Sequence, residues 1–311
     1  MPYNVLSFDG GGIRGIITVV LLQRLSQLPG LGAWLSDVNL IAGTSTGGLI
    51  ALGLAAGKSL DEIRSLYVDE GDYIFDDSWY DDLKDLGKLR GADYNIDNLE
   101  TVLKRVFGQT SLAELRKRVL ITTFDLDNEQ SDAAKRTWKP KLFHNFPGVD
   151  TDGSALAYKV GLYTSAAPTY FPTVDGYIDG GVYAPNPSMC ALAQTQDART
   201  GEAAPMLDVR LLSVGTGTSL VYIEDDEKEH DWGYSQWAQP LISLVFEGIS
   251  GIAHFQCSQI LGQRYHRLAP LFPPEVSIAM DAVDRMNYMI EFANGVDLGP
   301  TSDWIRNNWN R

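Results

Sequence analysis

Cysteine, histidine and net positive charge are all scarce in this 311-residue sequence, with two Cys, four His and 25 Lys and Arg against 40 Asp and Glu. Cys190 and Cys257 lie far apart, each among apolar neighbours. That argues against a disulfide scaffold or a cysteine metal centre and for buried thiols in a reducing compartment. The formal charge of -15 opposes binding to nucleic acid or to strongly anionic membrane and leaves a neutral or zwitterionic substrate surface open. An export signal is also missing. Met1-Pro2-Tyr3-Asn4 has no basic segment and Val5-Leu6-Ser7-Phe8 is too short for a signal core, so a cytoplasmic protein is expected. The uncharged residues 38–57 include five glycines and the polar Asn39, Thr44, Ser45 and Thr46, the composition of a buried strand and helix rather than of a transmembrane span. There is no internal repeat and no low-complexity tract.

What is present centres on Gly43-Thr44-Ser45-Thr46-Gly47, a G-x-S-x-G stretch between the apolar Asn39-Leu40-Ile41-Ala42 and the small, apolar residues 48–56. This context predicts a strand, a tight turn and a helix. The flanking Gly43 and Gly47 remove side chains that would collide as strand and helix approach. The Ser45 hydroxyl is then exposed at a helix N-terminus, where the dipole and free N–H groups favour the negative charge of an attacked carbonyl. A glycine-rich turn matches the same letters by chance, so the motif needs partners.

One partner lies upstream. Asp9-Gly10-Gly11-Gly12-Ile13-Arg14-Gly15 follows a strand-like segment and precedes an apolar helix at residues 16–25. Gly10, Gly12 and Gly15 satisfy the dinucleotide fingerprint G-x-G-x-x-G, and the same geometry serves as an oxyanion hole. The next strand favours the oxyanion hole, because it ends in Gly43-Thr44-Ser45 where a ribose-binding carboxylate would stand. Arg14 either orients a phosphate head group or pins the loop through carbonyls and a carboxylate.

Acids are plentiful. Residues 69–82 hold seven carboxylates and no Lys or Arg among aromatic residues, the pattern of a solvated loop or a cap over the site. Residues 224–231 form a second acidic loop. Ser59-Leu60-Asp61-Glu62 and Asp97-Asn98-Leu99-Glu100 read as helix starts. Asp125 ends a buried strand at residues 119–124 and is a candidate acid. Asp179 leaves a short strand at Tyr177-Ile178 beside Gly180 and Gly181, a backbone-crowded turn where desolvation raises a carboxylate pKa. The histidines have ordinary homes: His230 in the acidic loop, His254 on an apolar helix, His266 in a strand and His144 ahead of Asp179. Strands alternating with helices imply a parallel sheet covered on both faces, with 44% hydrophobic residues to fill its core.

The glycine loop, the elbow and the Asp179-Gly180-Gly181 turn, in this chain order, resemble the patatin-like phospholipase family. Ser165-Ala166-Ala167-Pro168-Thr169-Tyr170-Phe171-Pro172 and Ser213-Val214-Gly215-Thr216-Gly217 are similar to stretches the family carries before and after its aspartate. The resemblance spans Asp9 to about Gly217 and is faint beyond. It implies an α/β fold, a three-layer α/β/α sandwich with a mostly parallel central sheet. A single domain over residues 1–311 is expected, with a motif-bearing core at about 4–217 and a helical part at about 232–311. The implied activity is cleavage of lipid acyl esters by Ser45 as nucleophile and Asp179 as proton acceptor. Gly10, Gly11 and Gly12 would hold the oxyanion, supported by Arg14, Gly15, Gly43, Gly47, Gly180 and Gly181, with no metal and no cofactor. The partner would be a lipid or other acyl-ester substrate at a membrane or micelle surface, with no nucleic acid and no transmembrane segment. A thioesterase or carboxylesterase would use the same dyad, and a nucleotide-binding regulatory module remains as a different class.

Overall fold

The computed structural model describes residues 2–75, 92, 94–223 and 233–309. β1 (Tyr3–Phe8) leads through the glycine loop into α1 (Gly15–Gln27), and β2 (Leu40–Thr44) leads through Ser45 into α2 (Thr46–Ala55). Then come α3 (Leu60–Ile74), α4 (Ile96–Phe107), β3 (Arg118–Asp125), β4 (Lys139–His144), α5 (Ala157–Ser165), β5 (Tyr177–Asp179) and α6 (Ser188–Gln194). The rest is β6 (Val209–Val214), α7 (Tyr234–Leu261), β7 (Tyr265–Leu268), α8 (Met286–Gly295) and α9 (Gly299–Asn308).

Local signals set several of these boundaries. Ser59 and Glu62 exchange hydrogen bonds in a capping box at α3, and the helix runs on to Ile74. Asp69 to Ile74, read from sequence as the start of an acidic loop, are therefore helical, while residues 76–82 lie outside the described residues. The acidic residues 224–231 also lie outside them. The cap of α4 falls two residues before the expected Asp97: the Asn95 side chain accepts the Asp97 N–H at 2.9 Å, which leaves the Asp97 charge in the first turn, where the helix dipole favours it.

Among the described residues the sheet has seven strands in the order β4-β3-β2-β1-β6-β7, with β5 also paired to β3. The pairings β1–β2, β1–β6, β2–β3 and β6–β7 are parallel, while β4 and β5 run antiparallel to β3. Strand residues alternate between two helical layers. Leu6, Phe8, Ile41, Val119, Ile121, Leu212 and Val214 pack into one core with α1 to α5, α8 and α9. Val5, Leu40, Ala42, Leu120, Val209 and Leu211 pack into a smaller one with α6 and α7. This is the expected three-layer sandwich with a mostly parallel sheet, and its second layer is thin.

One detail of register builds the site. β4 covers one edge of β3 along Leu120–Asp125, and β2 covers the other edge as far as the pair Thr44↔Thr122. β2 then leaves the sheet at Ser45, and β5 takes the vacated edge, with Asp179 opposite Thr123. Because strand neighbours advance about 3.3 Å per residue, this step places the Asp179 carboxylate beside the start of the serine turn.

Candidate active site

Ser45 occupies φ 55°, ψ -128° between β2 and α2, a region that a residue with a Cβ enters only under local constraint. The constraint is visible. The Ser45 N–H donates to Thr164 Oγ1 at 2.8 Å, and that hydroxyl donates to the Thr122 carbonyl at 2.7 Å. Thr44 Oγ1 donates to the Ala184 carbonyl at 2.6 Å. A Cβ on Gly43 would overlap the Gly47 backbone, and one on Gly47 would overlap the Phe8 carbonyl. The turn thus closes only with glycine on both sides, and it leaves Ser45 half-buried at the N-terminus of α2.

Asp179 is 5% exposed. Burial pushes its pKa up to about 7, while interactions with the Ser45 hydroxyl and the Gly181 N–H pull the other way. The Gly181 N–H donates to Asp179 Oδ1 at 2.7 Å, which fixes the carboxylate in the turn. Gly180 has no room for a side chain against Thr122. Asp179 is thus a buried carboxylate whose raised pKa is opposed first by the Ser45 hydroxyl and then by the Gly181 N–H.

The glycine loop passes over Ser45, with a Cβ built on Gly10 only 3.3 Å from Ser45 Cβ. It departs from expectation at Gly10. Its N–H donates to the Pro185 carbonyl at 2.9 Å, so that donor is already used and cannot also serve an oxyanion. Neither Gly11 nor Gly12 N–H is given to another backbone carbonyl among the described residues outside regular elements. Gly12 sits at φ 58° against the Met280 carbonyl, a conformation suited to glycine. Gly15 abuts the Thr46 and Tyr67 hydroxyls, which bond each other. Of the two roles weighed for Arg14, the contact present is the pinning one: Arg14 Nε donates to the Gly11 carbonyl at 3.3 Å.

Sequence reasoning missed the loop's other anchor. Asp9, just ahead of Gly10, is clamped by Arg267 of β7: Nη1 reaches Oδ1 at 2.7 Å and Nη2 bonds Oδ2. Arg267 Nη1 also donates to Ser213 Oγ at 2.7 Å. Burial works against the Arg267 charge, but Asp9, Tyr265 and Glu247 outweigh it and hold the guanidinium above its usual range. Thr216 Oγ1 donates to the Gly10 carbonyl at 2.9 Å. The one sequence signal for Arg267 was an arginine inside the short strand Tyr265-His266-Arg267-Leu268, with nothing to say that Asp9 would face it.

Other candidates fall elsewhere. Asp125 pairs with Tyr177 and accepts the Asp127 N–H at 3.1 Å, two residues beyond the level of Asp179. His144 pairs with Leu120, two residues below the Thr122 level. His254 Nδ1 contacts Tyr265 Oη at 3.2 Å, and His266 Nε2 contacts Thr301 Oγ1 at 2.9 Å. Burial lowers the pKa of all three. His230 lies outside the described residues. Cys190 and Cys257 are free thiols, Cys257 buried and Cys190 half-buried.

A cavity of about 610 Å³ opens at Ser45 and runs between α2, α3 and α4. Ile13, Ile63, Tyr67, Phe75, Leu103 and Phe171 line much of it. It thus joins a serine at a helix N-terminus to an apolar hollow large enough for a drug-sized ligand.

The family described as Patatin-like phospholipase matches residues 6–192. The chain is 30% identical to a cGAMP-activated phospholipase of Pseudomonas aeruginosa, over 92% of this chain and 83% of that one. It is 28% identical to the protein teg of Priestia megaterium over 99% of both chains, and 30% identical to Patatin-like protein 2 of Arabidopsis thaliana over 83% of this chain and 72% of that one. With the match covering more than half its length and the motif geometry in place, the chain belongs to the patatin-like phospholipase family.

Proposed function

We propose that the protein is a lipid acyl hydrolase in which Ser45 and Asp179 form the catalytic dyad. The Ser45 Oγ attacks the ester carbonyl carbon while Asp179 takes its proton. The Gly11 and Gly12 N–H groups, with the N-terminus of α2, receive the oxyanion. Collapse breaks the C–O bond, and Asp179 returns the proton to the departing alkoxide, leaving an acyl group on Ser45. Water then attacks with Asp179 again as base, and the fatty acid leaves. The carrying observation is the register step from Thr44↔Thr122 to Thr123↔Asp179, which brings a carboxylate with a pKa near 7 to the serine turn. Such a carboxylate is a far better base at neutral pH than an ordinary aspartate.

The apolar cavity suits an acyl chain, which favours fatty-acyl lipids over small esters. We take residues 1–311 as one hydrolase domain, since β7 from the chain beyond Gly217 pairs with β6 and supplies Arg267 to the glycine loop. Lipid at a membrane or micelle surface is the substrate phase, met from the cytoplasm. Among the described residues no helix is long and apolar enough to cross a membrane.

A fluorophosphonate probe and a panel of phospholipid and neutral-lipid substrates test the reading. Wild type is expected to label at Ser45 and release fatty acid, and Ser45→Ala to do neither while keeping its circular dichroism spectrum. Full turnover by Ser45→Ala, or labelling elsewhere, would overturn it.

A further inference from the structure

We propose that the outward face of α7 is a docking surface for zwitterionic lipid aggregates, placed at the rim of the active site. The inference rests on the lipid-hydrolase reading above. α7 has two opposite stripes. Ala253, Cys257 and Leu261 are buried against the sheet, and Phe246 lies on the same side. Facing away at helical spacing are Leu241, Leu244, Val245, Ile252 and Phe255, which are 42 to 56% exposed, with Gly248 between them. On a helix covering a sheet the outward stripe is ordinarily polar. Here it is apolar over four turns.

The position of α7 ties that stripe to the chemistry. Its C-terminal end feeds β7, whose Tyr265 pairs with Leu211 near the start of β6, so the helix N-terminus points toward the catalytic end of the sheet. At 28 residues and about 1.5 Å per residue it spans ~42 Å, whereas the six residues of β6 span ~20 Å. Phe246 marks the level of the dyad: a Cβ on Gly181 would come within 3.1 Å of its ring. Residues 234–245 therefore run about 18 Å beyond that level, standing out beside the site. The same end of the sheet carries exposed Leu220, Val221 and Tyr222 after β6 and exposed Leu271 after β7.

Charge selects the occupant. From Tyr234 to Leu261 the sequence has one carboxylate, Glu247, and no Lys or Arg. Burial raises the pKa of Glu247, and Arg14 is the main charge that opposes the rise. Interfacial helices that seek anionic lipid carry cations on their flanks. This one has none, in a chain of net charge -15. An uncharged apolar ridge beside an ester-cleaving serine fits a phosphatidylcholine surface, from which a single acyl chain need travel only a short way to the cavity.

The test uses Ser45→Ala protein, so that binding is read without turnover, in flotation with phosphatidylcholine vesicles. Co-flotation is expected, and Leu241→Lys/Leu244→Lys/Val245→Lys should reduce the bound fraction at least tenfold. In the active background the triple variant should lose vesicle-lipid turnover by a similar factor while hydrolysing a monomeric short-chain ester within twofold of wild type. Replacing half of the lipid with phosphatidylglycerol should weaken flotation, and salt should restore it. If the triple variant does not fold, Leu244→Asn alone is judged by the same readouts. The proposal is overturned if wild-type-like flotation persists in the folded variant, if no flotation occurs at all, or if anionic vesicles bind more tightly. It is also overturned if light scattering finds a dimer that the substitutions split, since the stripe would then be covered by a second copy. A protein that floats but hydrolyses no ester would instead refute the function proposed above.

Discussion

Replacing Asp179 by Asn should make the protein more stable and nearly inactive, and the gain in stability should depend on pH in a defined way. The carboxyl is raised from an ordinary value of 3.8 to about 7 by burial. Below about pH 4 it is protonated in both folded and unfolded chains and contributes no difference. Between pH 4 and 7 the folded protein holds a proton that the unfolded chain has released, so stability falls as pH rises. At about 1.36 kcal/mol per pKa unit the total loss is ~4 kcal/mol, reached near pH 7 and constant above it. Asn does not titrate and still accepts the Gly181 N–H through its amide oxygen. The difference between Asp179→Asn and wild type should therefore grow from near zero at pH 4 to ~4 kcal/mol at pH 8. With unfolding entropy of about 2.1 cal/mol/K per residue, this is roughly 6 °C in melting temperature for 311 residues. Calorimetry at pH 4, 6 and 8 reads it directly. On a soluble ester, wild-type kcat/KM should rise with pH through about 7 as Asp179 ionises, and Asp179→Asn should lose ~10²–10⁴ in kcat. A variant that is less stable than wild type at pH 8, or whose stability difference does not change with pH, would refute the account of a desolvated base. So would full activity in Asp179→Asn together with loss of activity in a folded His144→Gln, His254→Gln or His266→Gln protein.

Three further outcomes follow from the loop and its anchors. Gly11→Ala would overlap Thr216 and Gly12→Ala would meet the Met280 carbonyl at positive φ, so each should lower kcat by ~10²–10³ more than it changes KM; steady-state kinetics on the soluble ester checks this. Isothermal titration with nicotinamide and flavin nucleotides should register no binding to wild type, and tight binding would revive the dinucleotide use of the same loop. Arg267→Met leaves the Asp9 carboxylate buried without its partner and should cost ~3–5 kcal/mol in urea unfolding. The double variant Asp9→Asn/Arg267→Met should recover part of that loss, and failure to recover any would mean that the clamp is not the cause.

Much of the site was legible in the sequence because its requirements are local. Gly43, Ser45 and Gly47 satisfy a turn whose strain and close approaches lie within a few residues, and Gly180 and Gly181 mark another crowded turn. Glycine spacing, caps and apolar runs report such constraints directly. The same local logic erred where neighbours compete. Gly10 looked like an oxyanion donor until Pro185, far along the chain, took its N–H, and Asp69 to Ile74 looked like loop until α3 continued through them. The meeting of Ser45 and Asp179 was decided by tertiary structure. β2 stops at Thr44, β5 occupies the edge it leaves on β3, and Asp179 thereby lands beside Ser45 from well over a hundred residues away, in a place dry enough to raise its pKa. Arg267 was beyond reach for the same reason: a buried ion pair between Asp9, just after β1, and Arg267 of β7 depends on β1 and β7 both flanking β6, and strand order is a global packing outcome that no local pattern encodes.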